Sequence, residues 1–265
     1  MTKYRINQTY FENIDTQEKA YWLGFLYADG YIKITPSGGC TCVRLKLAIK
    51  DISHLEKFKH SLESTHPIEI YETKNPYCQI SIGSKKMVND LINQGCTKNK
   101  GYKIRFPNIK EELKSHFIRG YFDGDGSVCY RGGNRYRFTM TSNNHFIMDI
   151  IKYLGYGNIS RDSVNEKLSN FYIDTNSNNF GKFIYNNSMI HLERKYQIYL
   201  KSFIIKENKK WLPNKYIIIN IGLNSSLITS NLAEFCKNNN LLVSSMYKVL
   251  KKKYNTHKGY YCEYL

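Results

Sequence analysis

Acidic residues are few in this chain and prolines fewer: 22 Asp and Glu stand against 39 Lys and Arg, with 5 prolines in 265 residues. So little proline, beside 42% hydrophobic and 14% aromatic residues, excludes a long disordered tract and leaves a globular chain. No long apolar run is present either. The opening MTKYRINQTYFENIDTQEK has no signal core, and the longest apolar stretch, around Tyr216 to Leu223, is too short to cross a bilayer. The cysteines (Cys40, Cys42, Cys78, Cys96, Cys129, Cys236 and Cys262) are odd in number, form no C-x-x-C pair and have no histidine at zinc spacing. Reduced thiols in an intracellular, soluble protein are expected.

The shortage of acids leaves a net charge of +17, spread along the chain instead of gathered in a tail. A polyanionic partner follows, although charge does not tell DNA from RNA.

The chain repeats itself. Residues 20–32 read AYWLGFLYADGYI and residues 116–128 read HFIRGYFDGDGSV, so Gly24 matches Gly120 and Asp29 matches Asp125 without a gap. Lys100 follows Asp29 at almost the interval at which Lys195 follows Asp125. Between these landmarks both units show alternating segments (31–35 with 41–49; 127–131 with 135–142), which read as hairpins. An apolar-periodic helix follows, carried by Ile52, Leu55, Phe58 and Leu62 in one unit and by Phe146, Ile150, Ile151 and Leu154 in the other. Second hairpins fit 68–73 with 77–82 and 157–161 with 170–175, and helices near 85–94 and 178–186 close each unit. The fold class is therefore α+β, αββαββα twice with antiparallel sheets, over 1–100 and 101–205. Residues 206–226 read as a linker. Residues 227–265 read as a small helical module, with the first helix capped at Ser230 or Asn231, Glu234 standing three residues after Asn231 as in a capping box, the second capped at Ser244, and a tight turn at Asn238 to Asn240.

Trp22, Leu23, Phe25 and Leu26 make the motif helix apolar nearly all round, so it needs a buried partner. Gly24 and Gly120 let two such helices approach backbone to backbone. The Asp-Gly that follows ends each helix, with the glycine expected in the left-handed conformation. If the helices pair about a pseudo-two-fold axis, Asp29 and Asp125 meet at the base of one cleft. Two adjacent carboxylates repel unless one is protonated or a divalent cation lies between them, which makes the pair an oxygen-ligand site for Mg²⁺, with Mn²⁺ or Ca²⁺ able to take its place. Hard cations of this kind serve phosphodiester chemistry. Asp123-Gly124-Asp125-Gly126-Ser127 also looks like the start of a calcium loop, but Val128 and Asn134 fall where that loop needs glycine and glutamate.

The paired segments resemble the two motifs of the LAGLIDADG homing endonucleases in their single-chain form, over roughly residues 10 to 205. The resemblance implies a pseudo-symmetric monomer whose motif helices form the central interface and whose sheets make a saddle over the major groove. It implies cleavage of both strands of a long, non-palindromic double-stranded DNA target, with short 3′ overhangs. By motif position Asp29 and Asp125 carry over as metal-binding catalytic acids. Tyr27 stands where the motif has its first Asp, whereas the second copy keeps Asp123. The setting implied is the cytoplasm of a bacterial or phage-infected cell, or an organelle matrix. The absence of splice-junction chemistry at Met1 and Leu265 argues against a complete intein.

Basic groups are expected near the scissile phosphates, and Lys100 and Lys195 are the candidates, being at the same repeat position. Base-reading candidates on the strands after each motif are Lys33, Arg44, Lys46 and Lys50, then Arg131, Arg135, Arg137 and Thr139. Alternate strand positions face the core, so only part of this set can touch DNA. The C-terminal module, closing on Thr256-His257-Lys258-Gly259-Tyr260-Tyr261, resembles the helix-turn-helix segments appended to homing nucleases. It would present Ser245, Tyr247, Lys248, Lys251 and Lys252 to DNA; the alternative is a helical hairpin that only stabilises the fold. Two other functions compete: an RNA-binding intron maturase on the same scaffold, and a regulator that binds DNA without cutting it.

Overall fold

Helix α1 (Gln17–Asp29) begins where Thr16, in extended backbone, turns its hydroxyl back to accept from the Lys19 N–H at 3.2 Å. In this computed structural model β1 (Gly30–Lys33), β2 (Cys42–Ala48), α2 (Ile52–Ser61), β3 (Ile68–Tyr71), β4 (Tyr77–Gly83) and α3 (Lys85–Asn93) follow. The same order then recurs as α4 (Lys114–Asp125), β5 (Ser127–Tyr130), β6 (Tyr136–Asn143), α5 (Asn144–Leu154), β7 (Asn158–Arg161), β8 (Leu168–Asp174) and α6 (Asn179–Tyr185). Helix α7 (Glu193–Glu207) comes after the second repeat. The structure describes all residues except 1–3, 36–40, 98–102, 132–135, 162–167, 175–178, 208–215, 224, 230 and 265.

Both sheets are antiparallel with matching strand order, β1-β2-β4-β3 and β5-β6-β8-β7. This is the duplicated αββαββα arrangement that the repeat implies. Leu55 and Phe58 of α2, with Met87, Val88 and Leu91 of α3, are buried where those helices cover the first sheet. Phe146, Ile147 and Ile150 of α5 do the same for the second. Leu45, Ile80, Phe138 and Phe171, all fully or almost fully buried, complete the core from the strands.

The centre is the pair α1 and α4. Every residue from Ala20 to Tyr27 and from His116 to Asp123 is buried, as the all-round apolar pattern requires. A methyl group on Gly24 would fall on the Phe117 carbonyl and 2.9 Å from the Tyr121 nitrogen; one on Gly120 would fall on the Tyr21 carbonyl and 2.9 Å from the Phe25 nitrogen. The seam is reciprocal: each helix offers its glycine to the backbone of the other.

Two expectations about helix ends need correction. Gly30 (φ −67, ψ 145) and Gly126 (φ −80, ψ 164) are extended, not left-handed. Each donates its N–H to the carbonyl four residues back, Leu26 and Phe122, and the chain passes into a strand with no intervening loop. Glycine is needed there because a Cβ would lie 2.6 Å from the Leu26 carbonyl oxygen, or 2.5 Å from that of Phe122. The left-handed cap occurs instead after α5, at Gly155 (φ 72).

The chain divides into two compact units, Met1–Phe203 and Ile204–Leu265. In the second, β9 (Tyr216–Asn220) and β10 (Ser225–Thr229) precede α8 (Leu232–Asn238), α9 (Val243–Leu250) and β11 (Tyr260–Tyr264). The expected linker therefore contains strand: Tyr216 and Ile218 are buried in a core with Leu232, Met246, Val249 and Cys262. The unit is ββααβ, with its two helices beside a sheet ordered β10-β9-β11, and is not a purely helical module. Asn231 caps α8 by accepting from the Glu234 N–H at 3.1 Å, but the return bond of a capping box is replaced: Glu234 accepts from the Asn231 side-chain amide, while the Asn231 N–H donates to Thr229 Oγ1. Asn240 is left-handed in the tight turn, and Ser230 lies outside the described residues. Helix α9 begins one residue before Ser244, with Leu242 as its cap.

Candidate active site

Because β1 starts directly after Asp29 and β5 starts one glycine after Asp125, both carboxylates are held at helix–strand junctions. Asp29 is half-buried and Asp125 exposed. The tips touch: a methyl on Gly124 would strike the Ala28 Cβ and lie 3.4 Å from Asp29 Oδ2. Both carboxylates also act electrostatically on Tyr121 and on Lys195, which puts them in one neighbourhood. No cluster of three or more His, Cys, Asp or Glu able to hold a metal occurs among the described residues.

Lys195 is brought to the site, but from behind. Its ammonium donates to the carbonyls of Phe122 and Asp123, each at 2.7 Å, and of Gly124 at 3.1 Å, so its three protons close the C-terminal turn of α4. That end carries partial negative charge and favours a cation. Burial draws the Lys195 pKa down to about 8, against the pull of Asp123, Asp29 and Asp125, while Arg194 adds to the lowering. Lys100 lies outside the described residues.

Asp123, fully buried, anchors the same helix. It accepts from Tyr185 Oη at 2.7 Å, from Tyr21 Oη at 2.9 Å and from the Leu192 N–H at 2.7 Å. Burial raises its carboxyl above the usual range, and these donors and Lys195 hold it back. Since Tyr21 gives its proton to Asp123, His54 Nε2, 2.9 Å from the same hydroxyl, must donate to it; His54 Nδ1 then has no partner. Burial depresses the His54 pKa to about 3, consistent with a neutral ring. Residue order along the sequence reveals Asp123 as a motif position but not this tyrosine clamp, whose members lie far apart in the chain.

The sheets turn alternate side chains away from the core. On the first, Tyr31, Lys33, Arg44 and Lys46 face outward. Lys46 Nζ lies 3.6 Å from the centroid of the Tyr77 ring, which stacks on Tyr71 at 4.6 Å, and the Arg44 guanidinium lies 5.9 Å from the Tyr31 ring. Gln79 donates to Glu69 at 3.2 Å on the same face. On the second sheet Arg137 lies over Tyr172 at 4.6 Å, and Thr139 shares a 2.6 Å hydrogen bond with Ser127. Lys50 is on the 3-10 turn Ile49–Asp51 and not on a strand; Arg131 is exposed just past β5; Arg135 lies outside the described residues. The tyrosines and Gln79 were missed by counting basic residues. Strand parity, once the register is known, finds them: Tyr31 pairs with Arg44, and Lys46 with Gln79.

In the second unit Tyr247 and Lys248 are exposed on α9, Ser245 is half-buried, and Lys251 and Lys252 are exposed just past its end. Met246, Val249 and Leu250 take the buried side. Among the described residues no helix is long and apolar enough to cross a membrane.

No family model matches the chain, and no curated protein matches it in sequence. Among solved structures it is similar to the meganuclease I-SmaMI bound to uncleavable DNA with a TTCT central four, at 14% identity and TM-score 0.49, over 72% of this chain and 91% of that one. The I-SmaMI LAGLIDADG homing endonuclease bound to cleaved DNA is similar at 15% identity and TM-score 0.49, over 73% and 91%. The LAGLIDADG homing endonuclease I-GzeII in complex with its DNA target is similar at 14% identity and TM-score 0.48, over 74% and 93%.

Proposed function

We propose that the chain is a site-specific DNA endonuclease that breaks both strands of a long, non-palindromic duplex by metal-dependent hydrolysis, leaving short 3′ overhangs. The observation that carries this reading is the meeting of Asp29 and Asp125 at the tips of two helices joined backbone to backbone. Net charge supports it, since +17 suits a polyanion.

The donor set fits Mg²⁺: two carboxylates, one half-buried and one exposed, leave the remaining positions to water and phosphate oxygens. When bound, the ion activates water and offsets charge on the phosphate. Asp29 and Asp125 would hold it, one from each repeat, so that each strand of a duplex would meet one acid. Gly24 and Gly120 set the spacing of the tips. Lys195 and Asp123 keep the end of α4 from fraying, and so keep Asp125 in place. The outer faces of the two sheets contact the grooves on either side, and α9 of the second unit adds contacts through Tyr247 and Lys248. Because the repeats stand in for two subunits, one chain serves one site.

Mg²⁺-dependent cleavage of a randomised duplex library, with sequencing of the cut ends, tests this. Defined 3′ overhangs at one extended sequence support it. Duplex binding without metal-dependent cutting would leave a regulator, and preference for structured RNA would indicate a maturase.

A further inference from the structure

On the outer face of the first sheet, among basic and aromatic side chains, stands a carboxylate. The strand register sets Lys46, Gln79 and Glu69 in one row across β2, β4 and β3. Backbone phosphates repel a carboxylate, so Glu69 does not serve general affinity for a polyanion. It is nonetheless held in place. Tyr71 Oη donates to Glu69 Oε2 at 2.9 Å, and Gln79 Nε2 donates to the same oxygen at 3.2 Å. Tyr71 is in turn stacked on Tyr77 at 4.6 Å, and Lys46 Nζ lies 3.6 Å from the centre of the Tyr77 ring. Gln79 is buried, whereas Glu69 is open to solvent. Both donors use one oxygen, and Glu69 Oε1 accepts from no described residue. An acceptor that is fixed on one side and open on the other loses little freedom when a donor meets it. Three strand spacings, about 14 Å, separate β3 from β1, the strand that begins beside Asp29, so Glu69 stands apart from the paired acids.

We propose that Glu69 is a specificity-determining residue that accepts a hydrogen bond from the N4 amino group of one cytosine in the major groove of the target. Only cytosine and adenine offer an amino donor there. Adenine sets the N7 lone pair beside its amine, where an acceptor-only carboxylate is repelled. Thymine has the O4 acceptor where cytosine has its amine, and guanine presents two acceptors, so both are refused. Tyr71 and Gln79 act through Glu69, as positioning residues that aim its free oxygen.

The inference rests on the nuclease reading for its DNA target, and one experiment separates the two. The full chain and its Glu69→Gln and Tyr71→Phe variants are each given the randomised duplex library with Mg²⁺, and bound and cut products are sequenced separately. The parent protein should require cytosine at one position, and thymine there should weaken binding about 5- to 150-fold. In Glu69→Gln the amide oxygen can still accept from Tyr71 and Gln79, which leaves an NH₂ donor towards the base. That one position should change from cytosine to thymine while every other keeps its identity. Tyr71→Phe takes away one of the two donors that hold the carboxylate, so it should keep cytosine with reduced discrimination. An unchanged base profile in Glu69→Gln, with or without a uniform gain in affinity, would overturn the inference, and so would selection of adenine by the parent at the affected position. Products bound but never cut would overturn the nuclease reading while still reporting the base at that position. A library with no member bound would overturn both.

Discussion

Tyr27 and Asp123 occupy the same position in the two repeats and make opposite hydrogen bonds. Tyr27 Oη donates to the Gln94 carbonyl at 2.6 Å, at the end of α3, whereas Asp123 Oδ2 accepts from the Leu192 N–H at 2.7 Å, just past the matching helix of the second repeat. Each ties its motif helix to the segment that closes the repeat. Between the repeats a donor with a carbonyl partner is exchanged for an acceptor with an amide partner, so the difference between Tyr27 and Asp123 keeps the tie and reverses its polarity. Both residues are buried, Tyr27 at 1% and Asp123 at 0% exposure.

On the proposed function, in which the carboxylates hold metal and do not anchor phosphate, Asp29→Asn and Asp125→Asn should each abolish double-strand cleavage and leave folding and duplex affinity nearly unchanged. Gel-shift titration beside a cleavage assay checks this. Full cleavage by both variants would remove the aspartates from the active site.

Gly24→Ala should destabilise the first unit by about 3 kcal/mol or more, at the upper end for overpacking, because the added methyl meets backbone and not a movable side chain. Gly120→Ala should behave alike, since the seam is reciprocal. Urea denaturation gives the comparison; Gly83→Ala, where nothing lies within 4 Å of the new methyl, is the control expected to stay within about 0.5 kcal/mol.

The Lys195 site should show its own pH dependence. Its folded pKa, about 8, lies below the unfolded value of 10.5, so between these limits the unfolded chain binds more protons and stability rises with pH. Relative to Lys195→Met, the parent protein should gain about 2 kcal/mol between pH 7 and pH 9.5. Urea midpoints of both proteins at the two pH values decide it, and parallel behaviour would mean the lysine titrates normally.

The buried residues form two apolar clusters with no member in common, one ending at Tyr199 and the other starting at Tyr216. Truncation after Glu207 should therefore leave a folded, Mg²⁺-dependent nuclease with weaker DNA binding and a shorter footprint. Circular dichroism and footprinting of both forms test this; an unfolded fragment would show that the second unit supports the first.

Much of this was legible because the repeats reinforce one another. The twin Gly-x-x-x-x-Asp-Gly segments placed α1 and α4, and alternation placed the strands, since each sheet has one buried face and period-two patterning survives there. The second unit is less legible: YIIIN is apolar in sequence, but its strand partners, SSLIT and YYCEY, are mixed in character and one lies some forty residues away in the chain, so nothing local separates it from a linker. The helix ends differ for another reason: Asp-Gly suggests a left-handed cap, and only the packing of Leu26 and Phe122 against Gly30 and Gly126 reveals why a side chain is excluded. Spacing brings Lys195 near the acids, but spacing cannot say that its protons point at carbonyls.

The glycine seam also sets where this protein can change over evolutionary time. A contact made by backbone against backbone has no side chain to trade for another, so there is no series of small, individually tolerated steps across it, and drift at Gly24 and Gly120 is blocked at the first substitution. The outer strand positions are under no such constraint: Lys33, Lys46 and Ser127 stand in solvent, and replacing them leaves the core as it is. On the proposed function, a lineage carrying this fold can thus shift from one DNA sequence to another by altering its sheet faces while the joint that brings the two acids together stays as it was.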